Sequence, residues 1–303
     1  MLYTRLLQYR LPLIRGEDVI AAQKRLRALG FSTGAIDGIY GARTEGEIRK
    51  FQEQQGLRAD GIVGPITWNR LFGLNPEKDY QQRLADLLIE LRQPHSYRNS
   101  IQWRLQADGI SINGGAPERS PGKPQTVTRV WRDLRDPLTR WSTSLGVPME
   151  LIIATICTES GGNLDIAARK EPGYISDEET PNRISPGIMQ TLISTARAAV
   201  GSPEVDRAWL EQPANSIRAG TAYIASQWKS THFDPPKVAC AYNAGGIYHN
   251  DSDKNRWKMR QYPIGTDAHA NRFVKWFNDC FEVLGQENDL PEICFVAALK
   301  KSA

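Results

Sequence analysis

A chain of 303 residues has room for two domains, each with its own core, and a hydrophobic share of 40% argues against general disorder. No stretch approaches the roughly 18 apolar residues needed to span a bilayer. Residues 1–73 hold eleven Lys/Arg against seven Asp/Glu, while the remainder balances at 27 of each, so the N-terminal part suits an anionic surface: nucleic acid, lipid headgroups or wall polymer.

At the N-terminus Arg5, Arg10 and Arg15 interrupt any apolar core of a signal peptide. The expectation is a protein made in the cytoplasm and delivered to its place of action by another system. Val19, Ile20, Leu26 and Leu29 form a helical stripe that stops at Gly30. Two similar segments follow, Asp37-Gly38-Ile39-Tyr40-Gly41 and Asp60-Gly61-Ile62-Val63-Gly64, each an Asp-Gly turn ahead of a helix. Thr44 and Glu47 have the spacing of a capping box for the helix carrying Ile48 and Phe51, and Pro65 suits the first position of the next helix. Three short helices and two glycine turns predict a compact domain over 1–73. Gly16-Glu17-Asp18-Val19, Gln23, Asp37-Gly38-Ile39-Tyr40-Gly41, Phe51-Gln52 and Gly64-Pro65-Ile66-Thr67-Trp68 resemble the peptidoglycan-binding domain of wall hydrolases. That resemblance implies a groove for stem peptide near Asp37, Tyr40, Gly41 and Arg43.

Between 74 and 125 lies a connecting region. Leu84, Leu87, Leu88 and Leu91 recur as one amphipathic helix over 80–92. Ile101, Trp103 and Leu105, then Ile110 and Ile112, alternate as in a hairpin, and Gly114 to Gln125 reads as a Gly/Pro-rich linker. From Val127 the pattern is helical, with Val130, Trp131, Leu134, Leu138 and Trp141 on one stripe and a kink expected at Pro137. Cys157, Cys240, Cys280 and Cys294 show neither CxxC pairing nor zinc spacing and read as reduced core thiols.

The run Leu151 to Thr158 is apolar, ends in Glu159-Ser160, and is stopped by Gly161-Gly162. A carboxyl at the negative end of a helix in apolar surroundings should hold its proton more tightly, as a glycosidase acid requires. An isolated glutamate there could equally be a salt-bridged cap. Glu159-Ser160 is accompanied, in order, by Gly187-Ile188-Met189-Gln190-Thr191, Asn215-Ser216-Ile217-Arg218-Ala219-Gly220 and Ala241-Tyr242-Asn243-Ala244-Gly245. Together these resemble the soluble lytic transglycosylases, related in fold to goose-type lysozyme, over roughly 127–250.

The expected architecture is therefore mainly α: a small three-helix peptidoglycan-binding domain joined to a larger α-helical lysozyme-like domain over 126–303. The resemblance implies cleavage of the β-1,4 bond between N-acetylmuramic acid and N-acetylglucosamine, with Glu159 as general acid and then base. It implies a 1,6-anhydro product, and hence an endolysin or antibacterial effector that degrades the wall. Tyr242 would orient the acid or the acetamido group; Met189 and Gln190 would line the sugar subsite, with Ser160 and Asn243 beside them. No cofactor or metal is implied. The implied partners are glycan strands and stem peptides, not nucleic acid, and the expected state is a monomer.

The chain departs from the family pattern in the segment Arg169 to Thr180, inserted before Gly187, which brings several acids near the site. Glu171, Asp177 or Glu178, or Asp165 ahead of it, could activate water and make the enzyme an inverting hydrolase. The same motifs are also compatible with hydrolysis of chitin, or with a non-catalytic wall-binding phage structural protein. In the C-terminal stretch, Phe273 and Trp276 read as core, while Tyr262 and His269 are candidates for the site.

Overall fold

The computed structural model describes residues 7–57, 59–73 and 76–301; Arg5, one of the residues breaking the apolar N-terminus, lies outside them. The N-terminal domain holds helices α1 (Glu17–Ala28), α2 (Ala42–Gln54) and α3 (Pro65–Phe72). Their apolar faces close over Val19, Leu26, Tyr40, Ile48, Phe51, Val63 and Trp68.

The two similar segments fold as a structural repeat around a buried glutamine. Gln23 Nε2 donates to Asp37 Oδ1, the Ile39 carbonyl and Thr44 Oγ1, and its Oε1 accepts from Gly38 N. Gln52 repeats the pattern with Asp60, Ile62, Thr67 and Gly61. Each buried amide is thereby satisfied, and each Asp-Gly turn is tied to a helix of the domain. This network replaces the expected capping box. Helix α2 starts at Ala42 behind Gly41, Thr44 serves Gln23, and Glu47 accepts from Ser32 N and Lys50.

Next come α4 (Pro76–Leu91) and a three-stranded antiparallel sheet, β1 (His95–Ser96), β2 (Gln102–Gln106) and β3 (Gly109–Ile112), with Trp103 opposite Ile112 and Leu105 opposite Ile110. Leu84, Leu88, Trp103, Leu105 and Ile110 all join the core of the larger domain. Residues 114–125, expected as a linker, are instead docked. Asn278 donates to the Glu118 carbonyl and accepts from Ile110 N, and Asp279 accepts from Ser120 N and Oγ.

The larger domain is built from α5 (Gln125–Leu145), α6 (Met149–Ser160), α7 (Ile193–Val200), α8 (Arg207–Glu211), α9 (Pro213–Ser226), α10 (Trp228–Thr231), α11 (Pro235–Ala244), α12 (Ala268–Gly285) and α13 (Phe295–Lys301), with a two-residue ribbon of β4 (Arg169–Lys170) and β5 (Ile184–Ser185). As expected, α5 bends: Leu134, three residues before Pro137, leaves helical geometry. Every residue of α6 from Met149 to Thr158 is buried, which fits a helix apolar on all sides running through the core between α5 and α12. Its buried Glu150 accepts from Phe295 N, Val296 N and Cys294 Sγ, satisfying the start of α13. The four cysteines are free and buried.

Candidate active site

Helix α6 ends where expected. Gly161 takes the left-handed conformation, and Gly162 follows with φ +70°, where a Cβ would stand 2.5 Å from Val130 Cγ2. This stop leaves Glu159 in the last turn of the helix, its side chain only 4% exposed. Burial raises its pKa, while the charges of Arg169 and Arg272 pull the other way. Arg169 Nη2 stands 3.5 Å from Oε2 and His269 Nε2 stands 3.7 Å from Oε1. Burial and the same two arginines press the His269 pKa down to about 3, so at neutral pH the imidazole is uncharged and its contact with Glu159 is not an ion pair.

The motifs downstream converge on the loop 187–191. Gly187 has φ +75°, and a Cβ there would come within 2.0 Å of the Leu210 carbonyl oxygen. Ser216 Oγ accepts from Met189 N. At Gly220 a Cβ would lie 2.4 Å from Met189 Sδ, so the glycine makes room for the thioether. Tyr242 Oη donates to the Met189 carbonyl at 2.8 Å and lies 2.8 Å from Thr191 Oγ1. These contacts clamp the loop from three sides.

Several residues expected to contact substrate make contacts within the fold. The Met189 side chain is fully buried against Gly220 and is not an open subsite wall. Tyr242 spends its hydroxyl on Met189 and Thr191 rather than on the acid. Gln190 has φ +47°, an uncommon conformation for a residue with a Cβ, and its amide donates to the Gly187 carbonyl. Ser160 Oγ donates to the Ile156 carbonyl and accepts from Gly162 N, so it secures the helix end. Asn243 Oδ1 accepts from Tyr262 N, linking the end of α11 to the half-exposed Tyr262.

The acids of the inserted segment are mostly engaged elsewhere. Asp177 forms a bidentate pair with Arg207 and accepts from Tyr174 Oη, and the Arg207 hydrogen bond holds its carboxyl below the usual range. These contacts make Asp177 an anchor of the excursion between β4 and β5. Asp165 and Glu178 are exposed. Glu171 alone connects to the site, sharing Arg169, whose Nε lies 3.3 Å from Glu171 Oε1. The charges acting on Glu159 are cationic, those of Arg169 and Arg272.

Arg169 carries no signal in the sequence, because it is one charged residue in a segment dense with charge. Arg272 and His269 are one turn apart on α12, a spacing that puts them on one face. Arg169→Gln should raise the Glu159 pKa further. A general acid then stays protonated to higher pH, so the alkaline limb of the kcat/KM profile should move up. A limb that moves down would show that Arg169 does not act on Glu159 through its charge.

In the N-terminal domain the four expected peptide-binding residues separate. Tyr40 is fully buried with its hydroxyl donating to the Gly61 carbonyl, so it belongs to the core and not to a groove. Asp37 is exposed but turns its Oδ1 to Gln23 and Ile39 N. Gly41 caps α2, and the exposed Arg43 donates to the Ser32 carbonyl.

Comparison with known proteins follows the same two-part layout. Residues 15–71 match the peptidoglycan binding domain family, and residues 136–263 match the transglycosylase SLT domain family. The chain is 44% identical over 106 residues to a spore cortex-lytic enzyme of Oceanobacillus iheyensis, covering 35% of this chain and 36% of that protein. It is 45% identical over 60 residues to the N-acetylmuramoyl-L-alanine amidase CwlM of Mycobacterium tuberculosis, covering 20% of this chain and 15% of that one. The chain thus spans well under two thirds of either relative. The crystal structure of Burkholderia AP3 phage endolysin aligns over 99% of this chain and 100% of its own with 16% identity and a TM-score of 0.26, a weak likeness.

Proposed function

We propose that this chain, a peptidoglycan-binding domain followed by a transglycosylase SLT domain, cleaves the glycan strand of the bacterial wall. Glu159 protonates the leaving oxygen of the β-1,4 bond after N-acetylmuramic acid, then as carboxylate takes the C6 hydroxyl proton while a 1,6-anhydro ring closes. The observation that carries this reading is the buried carboxyl at the end of α6, its pKa raised by burial and the charges acting on it all cationic. After the first step the carboxylate is newly charged, and Arg169 and Arg272 stabilise that charge until the second proton transfer. The loop 187–191, clamped by Ser216, Gly220 and Tyr242, forms a rigid support for the site. The N-terminal domain holds the enzyme on its polymer and raises the local concentration of strands.

A second reading, hydrolysis by an activated water, has one favoured base in Glu171, held on the same guanidinium as Glu159. Mass spectrometry of digested muropeptides separates the two. Anhydro ends are lighter than hydrolysed ends by one water, about 18 mass units, and are the expected product. Ends that all carry the added water would assign the reaction to hydrolysis.

A further inference from the structure

Arg272, whose charge acts on Glu159, also lines a cavity of about 480 Å³ walled by the loop at 120–126 and one face of α12. Its size is that of a ligand site. Its lining residues all fall outside 15–71 and 136–263, the spans matched by the two families, so none of the recognised motifs builds it.

Three cations face it: Lys123, Arg272 and Lys275. Among the described residues their side chains make no ion pair or hydrogen bond. The acid that feels the charge of Lys275 is Glu118, and that carboxylate is already paired with Arg256 at 2.7 Å. Gln125 and Asn271 add polar contacts, and Trp276 adds an aromatic wall whose buried Nε1 has no hydrogen-bond partner. The walls are held in place before any ligand arrives, because Asp279 binds Ser120 and Asn278 binds the Glu118 carbonyl. Arg272 joins the cavity to the acid: it lies one turn along α12 from His269, whose Nε2 stands 3.7 Å from Glu159 Oε1.

Three cations lining one cavity, with no ion pair to the protein among the described residues, suit an anionic group on the substrate. The sugars of a peptidoglycan strand do not bring one. The lactyl carboxyl of each muramic acid is consumed in the amide bond to its stem peptide, and both amino groups are acetylated. Anionic groups next to the scissile bond are therefore those of the stem peptide. We propose that this cavity is a subsite for the stem-peptide carboxylates carried by the muramic acid at the cleavage point. This rests on the glycosidase reading above, and it makes the enzyme one that prefers strands whose stem peptides carry free carboxylates.

The test uses the full chain and the double variant Lys123→Gln/Lys275→Gln, neither residue being in contact with Glu159. The substrates are glycan strands with intact stem peptides and the same strands with their peptide carboxyls converted to amides, because removing the peptide with an amidase would free the lactyl carboxylate. The wild type should show a KM roughly tenfold lower on the strands with free carboxylates. The variant should lose that advantage, its KM on intact strands rising to the value for amidated ones. Equal wild-type KM values on both substrates, or an equal loss by the variant on both, would overturn the subsite.

A binding measurement separates this from failure of the glycosidase reading. A disaccharide-tetrapeptide is titrated calorimetrically into wild type and variant, and inorganic phosphate is titrated in parallel. Muropeptide binding by the wild type and its loss in the variant uphold the subsite even if no strand is cut. Absence of muropeptide binding, or tighter binding of phosphate, overturns it.

Discussion

Glu159→Gln should lose activity by about 10²–10⁴-fold in kcat while making the protein more heat-stable at neutral pH. The two effects share one cause. The glutamine keeps the shape of the side chain but cannot deliver a proton, so the leaving oxygen departs unprotonated. In the wild type, burial raises the Glu159 pKa above that of the unfolded chain, so the folded state binds the proton more tightly. Where the folded state holds more protons than the unfolded state, stability falls as pH rises. The loss therefore begins near the ordinary carboxyl pKa and is complete above the raised one. Glutamine removes it, so the gain in Tm should be a few degrees at about pH 7 to 8 and should fade by about pH 4. Wild-type activity should decline as pH rises through the raised value, where Glu159 loses its proton. Thermal melts across pH and a pH–rate profile check both halves. Activity within about tenfold of wild type would remove Glu159 from the chemistry, and a lower Tm at neutral pH would mean that its contact with Arg169 outweighs its burial.

Much of the scaffold can be read from local pattern. The end of α6 at Gly161-Gly162, the kink near Pro137, the β2–β3 hairpin and the paired Asp-Gly turns depend on backbone rules and short-range periodicity. The direction in which side chains point is not local in this way. Gly-Ile-Met-Gln and Ala-Tyr-Asn-Ala-Gly suggest substrate contacts because they accompany the acid. In the fold Met189 fills the space left by Gly220, and Tyr242 closes over the Met189 carbonyl. Spacing along a helix reports which face a residue occupies but not whether that face meets solvent or another helix. The segment 114–125 misleads for a related reason. Its glycines and prolines suit a flexible linker, and the groups that pin it, Asn278 and Asp279, lie about 160 residues away in α12. Such a tie has no local trace. The same long-range docking creates the cationic cavity, so that feature is invisible in sequence as well.

Asp234→Ala should destabilise the larger domain by about 3–5 kcal/mol. The Asp234 carboxylate is almost wholly buried and holds three partners: His95 Nε2 at 3.0 Å, Trp103 Nε1 at 2.8 Å and Lys237 Nζ at 3.0 Å. Two of those partners come from the β1–β2 pair, and the third from α11, so one side chain fastens the small sheet to the helix that carries Tyr242. Alanine would strand an indole N–H and leave a partly buried ammonium and imidazole without their counter-charge, which costs more than the lost bonds alone. For a unit of this size the expected fall in Tm is roughly 10 °C. The ion pairs also set a pH window. Burial opposes the His95 imidazolium, but the Asp234 hydrogen bond and charge outweigh it and hold the His95 pKa above its usual 6.5. The stabilisation from His95 is therefore full below about pH 6.5 and is lost as pH rises through the raised value. Asp234 itself is opposed by burial and yet held below its usual 3.8 by His95 and Lys237, so its contribution is full above that value and is lost as pH falls through the lowered one. Wild-type melts should accordingly peak in the mildly acidic range and decline above it, whereas Asp234→Ala should lack the decline due to His95. A variant melting within a degree or two of wild type would show that the sheet is held by Trp103 packing and not by the buried carboxylate.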